Sequence, residues 1–208
     1  MEQIYNIAGI ISVILLAVAA IVAIKNYSFF SKNERWYIYY ICFIFLIELL
    51  SYTISFFEIK GGKSFLYPIY IAGEFFVVTG IFIKKLNLSH YYFFLSAFIS
   101  LFFLAGGKIL LSYQYDDDHS KAISNLIIIF LAAFALLREI KEGNGKDAFL
   151  NVDKMIFLYF SASIFIFLFQ HQLLKFSPDY TSTVWVINNL LICILYSFII
   201  YTFVKLKK

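Results

Sequence analysis

Seven apolar blocks, at 4–24, 36–57, 65–83, 91–113, 122–137, 155–174 and 181–204, alternate with short polar connections along this 208-residue chain. That alternation constrains the fold more than any motif does. At 1.5 Å per residue, about 20 residues cross the roughly 30 Å of bilayer hydrocarbon. Lipid offers no hydrogen bonds, so such blocks must satisfy their backbones internally as helices. Charged residues make up 14% of the chain, against about 25% in soluble domains. The reading is all-α: one polytopic transmembrane helix bundle, residues 1–208, with seven spans and the lipid bilayer as its solvent.

Orientation follows from the cations. With the N-terminus outside, the odd-numbered connections and the tail carry Lys25, Lys32, Arg35, Lys84, Lys85, Arg138, Lys141, Lys146, Lys154, Lys205, Lys207 and Lys208. The opposite side has Lys60, Lys63, Lys108, Lys121 and Lys175. Twelve against five, in short loops, reads as N-out and C-in by the positive-inside rule. The net charge of +4 therefore signals membrane orientation, not nucleic-acid affinity. Lys outnumbers Arg by 15 to 2, which suggests an AT-rich bacterial genome and the cytoplasmic (inner) membrane. Ala17-Val18-Ala19 has the form of a cleavage site, but residues 1–3 hold no Lys or Arg. The first block is read as a retained span.

Two carboxylates, Glu48 and Glu74, are the acids inside the blocks. Each lies about 13 Å below the outer end of its helix, near mid-bilayer. A carboxylate there costs several kcal/mol unless it keeps a proton or faces protein, water or a partner. Glu48, Ser51, Tyr52 and Ser55 share one helical face, and Tyr67, Tyr70 and Glu74 share another. Asn188 and Asn189 fall about 11–12 Å deep in the last span, and His171 ends the sixth. The expected ligand, ion or proton site is Glu48, Tyr52, Tyr70, Glu74, His171, Asn188 and Asn189, an outward polar seam. The competing account makes the glutamates hydrogen-bonding glue between helices. Lys108 either snorkels to the surface or pairs with a glutamate.

Other chemistry finds no support. Cys42 and Cys193 lie in separate spans and read as free thiols. Asp116, Asp117, Asp118 and His119 sit in the connection 114–121, read as a solvated acidic loop in preference to a cation site. The last span has no lysine before Lys205, which argues against a retinal Schiff base. The three histidines fall on opposite sides of the membrane, which argues against a three-histidine zinc site. No GxSG, HExxH or Walker sequence occurs. No catalytic set, cofactor or metal is expected.

In outline the chain resembles small seven-span sensor modules of bacteria, by architecture and not by shared motif. That likeness implies a module that senses or transduces a signal through a separate protein. The partner surface expected for it is the cytoplasmic connection 138–154, with Arg138, Lys141, Lys146 and Lys154. Two other functions stay open. One is a transporter, channel or membrane-permeabilising effector, with a homo-oligomer as one assembly open to it. The other is a structural accessory subunit, in which Ser96, Ser100 and the alanines at 132, 133 and 135 serve packing.

Overall fold

The apolar blocks fold as helices in a computed structural model. It describes residues 2–59, 62–106, 117–142, 147–173 and 178–206, except the side chains of 2, 62, 63, 106, 170–173 and 178–181. The helices are α1 (Glu2–Lys25), α2 (Arg35–Phe56), α3 (Gly62–Lys85), α4 (Tyr91–Leu101), α5 (Asp117–Glu142), α6 (Leu150–Leu173) and α7 (Pro178–Lys205). Phe102–Gly106 prolongs α4 as a π-helical turn. Six of these helices are long and apolar enough to cross a bilayer. The protein is thus an all-α, multi-span membrane bundle. The apolar stretch of α4, Tyr91–Ala105, is shorter than these six. The rest of the expected fourth span, with Lys108, lies outside the described residues.

Two helices begin earlier than hydropathy suggests. α5 starts at Asp117 instead of 122, and α6 at Leu150 instead of 155. Hydropathy ends a helix where polar residues begin. Here Asp118, Ser120, Lys121 and Asp153 are buried against neighbouring helices and need not leave the helix to be satisfied. Asp117 and Asp118 in the first turn of α5, and Asp153 in that of α6, also suit the positive end of the helix dipole. The acidic connection is therefore helical from Asp117 onward, and Asp118 is buried, not solvated. Asp116 lies outside the described residues.

The helices close a ring. α1 packs on α2 and α7, α2 on α3, α3 on α5, α5 on α6, and α6 on α7. α4 lies outside the ring against α3. That cover explains why 72% of the apolar window of α3 is buried, against 28–44% in the other five long helices. The remaining outward faces present large apolar side chains such as Ile14, Phe94 and Phe130, as lipid contact requires.

α2 approaches α3 over two glycines one face apart. A Cβ on Gly73 would run into the Phe43 ring, and one on Gly80 into the Trp36 indole. Trp36 is held there between Phe76 and Phe93, at ring separations of 6.0 and 5.3 Å. Across the other side of α3, Thr79 and Ser96 hydroxyls share a hydrogen bond of 2.5 Å that ties α4 to the ring. Of the alanines of α5, Ala132 and Ala135 are buried where the helix meets the core, and Ala133 is half-buried.

Candidate functional site

One cavity of about 430 Å³ opens within the ring. That volume falls within the roughly 300–1,000 Å³ typical of ligand sites. α2 contributes Tyr40, Ile44, Ile47, Glu48 and Ser51, and α3 contributes Leu66, Tyr67, Tyr70 and Glu74. α7 presents Trp185, Asn188, Asn189, Ile192 and Tyr196. Asp118 of α5 and Tyr159 and Phe167 of α6 complete the described wall.

Five of the seven residues read as a site therefore meet at one place: Glu48, Tyr70, Glu74, Asn188 and Asn189. The cavity occupies the half of the bundle that holds the start of α3 and the start of α5, away from Lys84 and Lys85. Tyr52 is not in its lining and is 57% exposed. The reason is angular. The lining residues of α2 centre on a direction between Ile44 and Ser51, and Tyr52 points about 100° away from it. Four residues from Glu48 is one turn plus a step, and here the step carries the ring outward. His171 lies in α6 among the residues whose side chains are not described.

The charge in the cavity wall is arranged in two unequal halves. The Glu74 carboxylate forms an ion pair with Lys121 of α5, inside the bundle. Tyr70 donates a hydrogen bond of 2.9 Å to the other Glu74 oxygen, and Lys121 donates one of 3.1 Å to the Tyr70 hydroxyl. The ammonium also stands 4.4 Å from the centre of the Tyr70 ring. Burying two charges costs several kcal/mol per ion, and only such dense pairing recovers it. On α2, Glu48 has no ion pair or hydrogen bond among the described residues. Asn188 is 5% exposed, and its Oδ1 likewise has no partner. Between the halves, Tyr67 donates to Asp118 at 2.9 Å.

The sequence reading missed Lys121 and Asp118, because both were assigned to a loop. A signal was available. Asp118, Lys121 and Asn125 are spaced i, i+3 and i+7, one polar stripe on a helix, matching the Tyr67, Tyr70, Glu74 stripe that they face. Lys108, weighed as the glutamates' cation, lies outside the described residues.

A second polar cluster lies at the opposite end of α3. Lys85 forms ion pairs with both Asp147 and Asp153. Tyr37 of α2 donates a 2.6 Å hydrogen bond to Asp153 and stacks on Phe149 at 4.1 Å. Nearby, Arg138 donates to the Leu86 carbonyl at 3.0 Å and to Glu142 at 2.6 Å. Of the other cations read as a partner surface, Lys141 and Lys154 are exposed, and Lys146 lies outside the described residues. Between the two clusters the interior is mainly apolar, with Phe75, Val78, Phe82, Ile128, Ile156 and Phe160 in one core, while Thr79, Ser124 and Asn125 are buried polar residues of the same stretch.

Cys42 and Cys193 are free thiols. Among the described residues, no group of three His, Cys, Asp or Glu side chains could hold a metal ion. Compared with protein-family models, curated proteins and solved structures, the chain matches none.

Proposed function

We propose that this protein is a small membrane sensor whose cavity receives a ligand and whose far end reports it to a separate protein. The observation that carries this reading is α3 itself. It holds Glu74, in the ion pair at the cavity, and Lys85, in the ion-pair cluster at the other end. Eleven residues of helix, about 16 Å, separate them. Ligand binding that loosens Glu74 from Lys121 frees α3 to slide or turn against α5. The same displacement shifts Lys85 against Asp147 and Asp153. Packed cores switch between discrete arrangements instead of deforming smoothly. The reading uses seven spans with α4 as the fourth, N-out and C-in, in a bacterial inner membrane. The cavity then faces outward, and Arg138, Lys141 and Lys154 flank the reporting end.

A transporter or channel built on the same ring is the second reading, favoured by Glu48 having no partner among the described residues. The mainly apolar layer between the cavity and the Lys85 cluster weighs against a conduit.

The test uses the full chain with Cys42→Ser and Cys193→Ala, spin-labelled at Lys84→Cys and Lys154→Cys. Glu74→Gln, and separately Glu74→Gln/Lys121→Met, should move the label-to-label distance by about 1–2 Å, the scale of helix shifts in switching proteins. The double variant leaves no buried charge unpaired, so loss of folding does not confuse the outcome. An unchanged distance overturns the sensory reading. Proton or cation flux through liposomes containing the wild-type protein moves the assignment to the conduit.

A further inference from the structure

We propose that the ligand of this cavity is a small organic cation, whose ammonium takes on Glu48 the place that Lys121 takes on Glu74. This deepens, and rests on, the reading of the cavity as the sensory site.

The chain's own lysine demonstrates the chemistry. Lys121 is fully buried, yet its ammonium is accommodated by one carboxylate, one tyrosine hydroxyl and aromatic faces. Tyr70, Phe160 and Phe167 present those faces at 4.4, 5.6 and 5.8 Å from Nζ. Aromatic faces attract cations through the ring quadrupole, most strongly where water is excluded. The cavity offers the same ingredients to a second cation. Glu48 of α2 lines it, and Tyr196 and Trp185 of α7 are in the same lining. Seven of the seventeen described lining residues are aromatic, so a cation entering there meets π faces in addition to the acid.

Charge balance points the same way. Glu74 in the described wall is paired with Lys121, whereas Glu48 has no ion-pair partner among the described residues. An anionic ligand would be repelled by the Glu48 carboxylate; a cation would neutralise it. Asn188 supplies an independent indication. It lines the cavity, and its buried Oδ1 has no partner among the described residues. A buried acceptor left so costs about 1–3 kcal/mol. A ligand N–H or O–H recovers that, which suits an ammonium bearing a hydroxyl or a second polar hydrogen. The apolar Ile44, Ile47 and Ile192 leave room for a short hydrocarbon body.

The experiment titrates choline into the full-length protein in nanodiscs, with Trp36→Phe making Trp185 the sole tryptophan reporter. Its uncharged isostere 3,3-dimethyl-1-butanol is titrated alongside. Choline should change Trp185 emission saturably and the isostere should not. Glu48→Gln should weaken choline at least about tenfold, as loss of one member of a desolvated charge pair does, while Glu48→Asp retains binding. Equal binding of choline and the neutral isostere overturns the assignment. So does unchanged choline affinity in Glu48→Gln, or no response to millimolar choline in protein that remains folded. If choline binds through Glu48 while the Lys84–Lys154 label distance stays fixed, the cation site stands and the sensory reading fails.

Discussion

The Lys121 ammonium meets the Glu74 carboxylate with 0% and 1% of the two side chains exposed. The pair joins α5 to α3 at the wall of the cavity, so ligand access and helix packing depend on one contact. A buried pair of this kind is weak evidence for stability, because hydrophobic residues of similar volume often do as well. Breaking it from one side is another matter.

Lys121→Met should destabilise the protein by about 3–5 kcal/mol, because Glu74 is left charged and unpaired in the interior. Adding Glu74→Gln should restore most of that loss. Chemical denaturation in detergent micelles measures both. Equal stabilities for the single and double variants would show that the two side chains do not interact.

At the other end, Tyr37→Phe removes one hydrogen bond to the buried Asp153. A loss of about 1.5–3 kcal/mol is expected, the range for a hydrogen bond to a charged group. Asp153→Ala should cost more, since it also strips Lys85 of an ion-pair partner. The order of the two midpoints in a denaturant titration checks the arrangement.

Asn125 is fully buried in α5, and neither its Oδ1 nor its Nδ2 finds a partner among the described residues. Asn125→Leu is of similar size and removes that unsatisfied amide. It should raise stability by about 1–3 kcal/mol, the desolvation cost of an unmade bond. A lower thermal midpoint would mean that the amide has a partner, such as an ordered water.

Gly80→Val places a side chain where the Trp36 ring already lies. Overpacking of this kind costs about 1–3 kcal/mol. Trp36→Leu in the same protein should recover part of the loss, and the thermal midpoints of the four combinations give the coupling. Additive effects would place the indole elsewhere.

Much of this was legible in the chain. The all-helical, multi-span class follows from the length of the apolar runs and the 3.6-residue period. Lipid enforces both, since it accepts neither open backbones nor unpaired charge. Asn188 and Asn189 were singled out by their distance from the helix end, and the fold brings both to the cavity lining. Partner choice was not legible. Lys121, Asp118 and Asp153 look like loop residues by hydropathy, because hydropathy averages over a window and cannot register a charge neutralised by another helix. Tyr52 and Tyr70 sit at the same four-residue spacing from a glutamate, yet only Tyr70 reaches the cavity. Spacing along one helix fixes angles around its axis, but the rotation of that axis is set by what packs against it. For α2 that is decided by Gly73 and Gly80, which admit Phe43 and Trp36 and turn Glu48 inward. The sequence by itself determined which groups had to be sheltered from lipid; tertiary packing alone determined which of them meet.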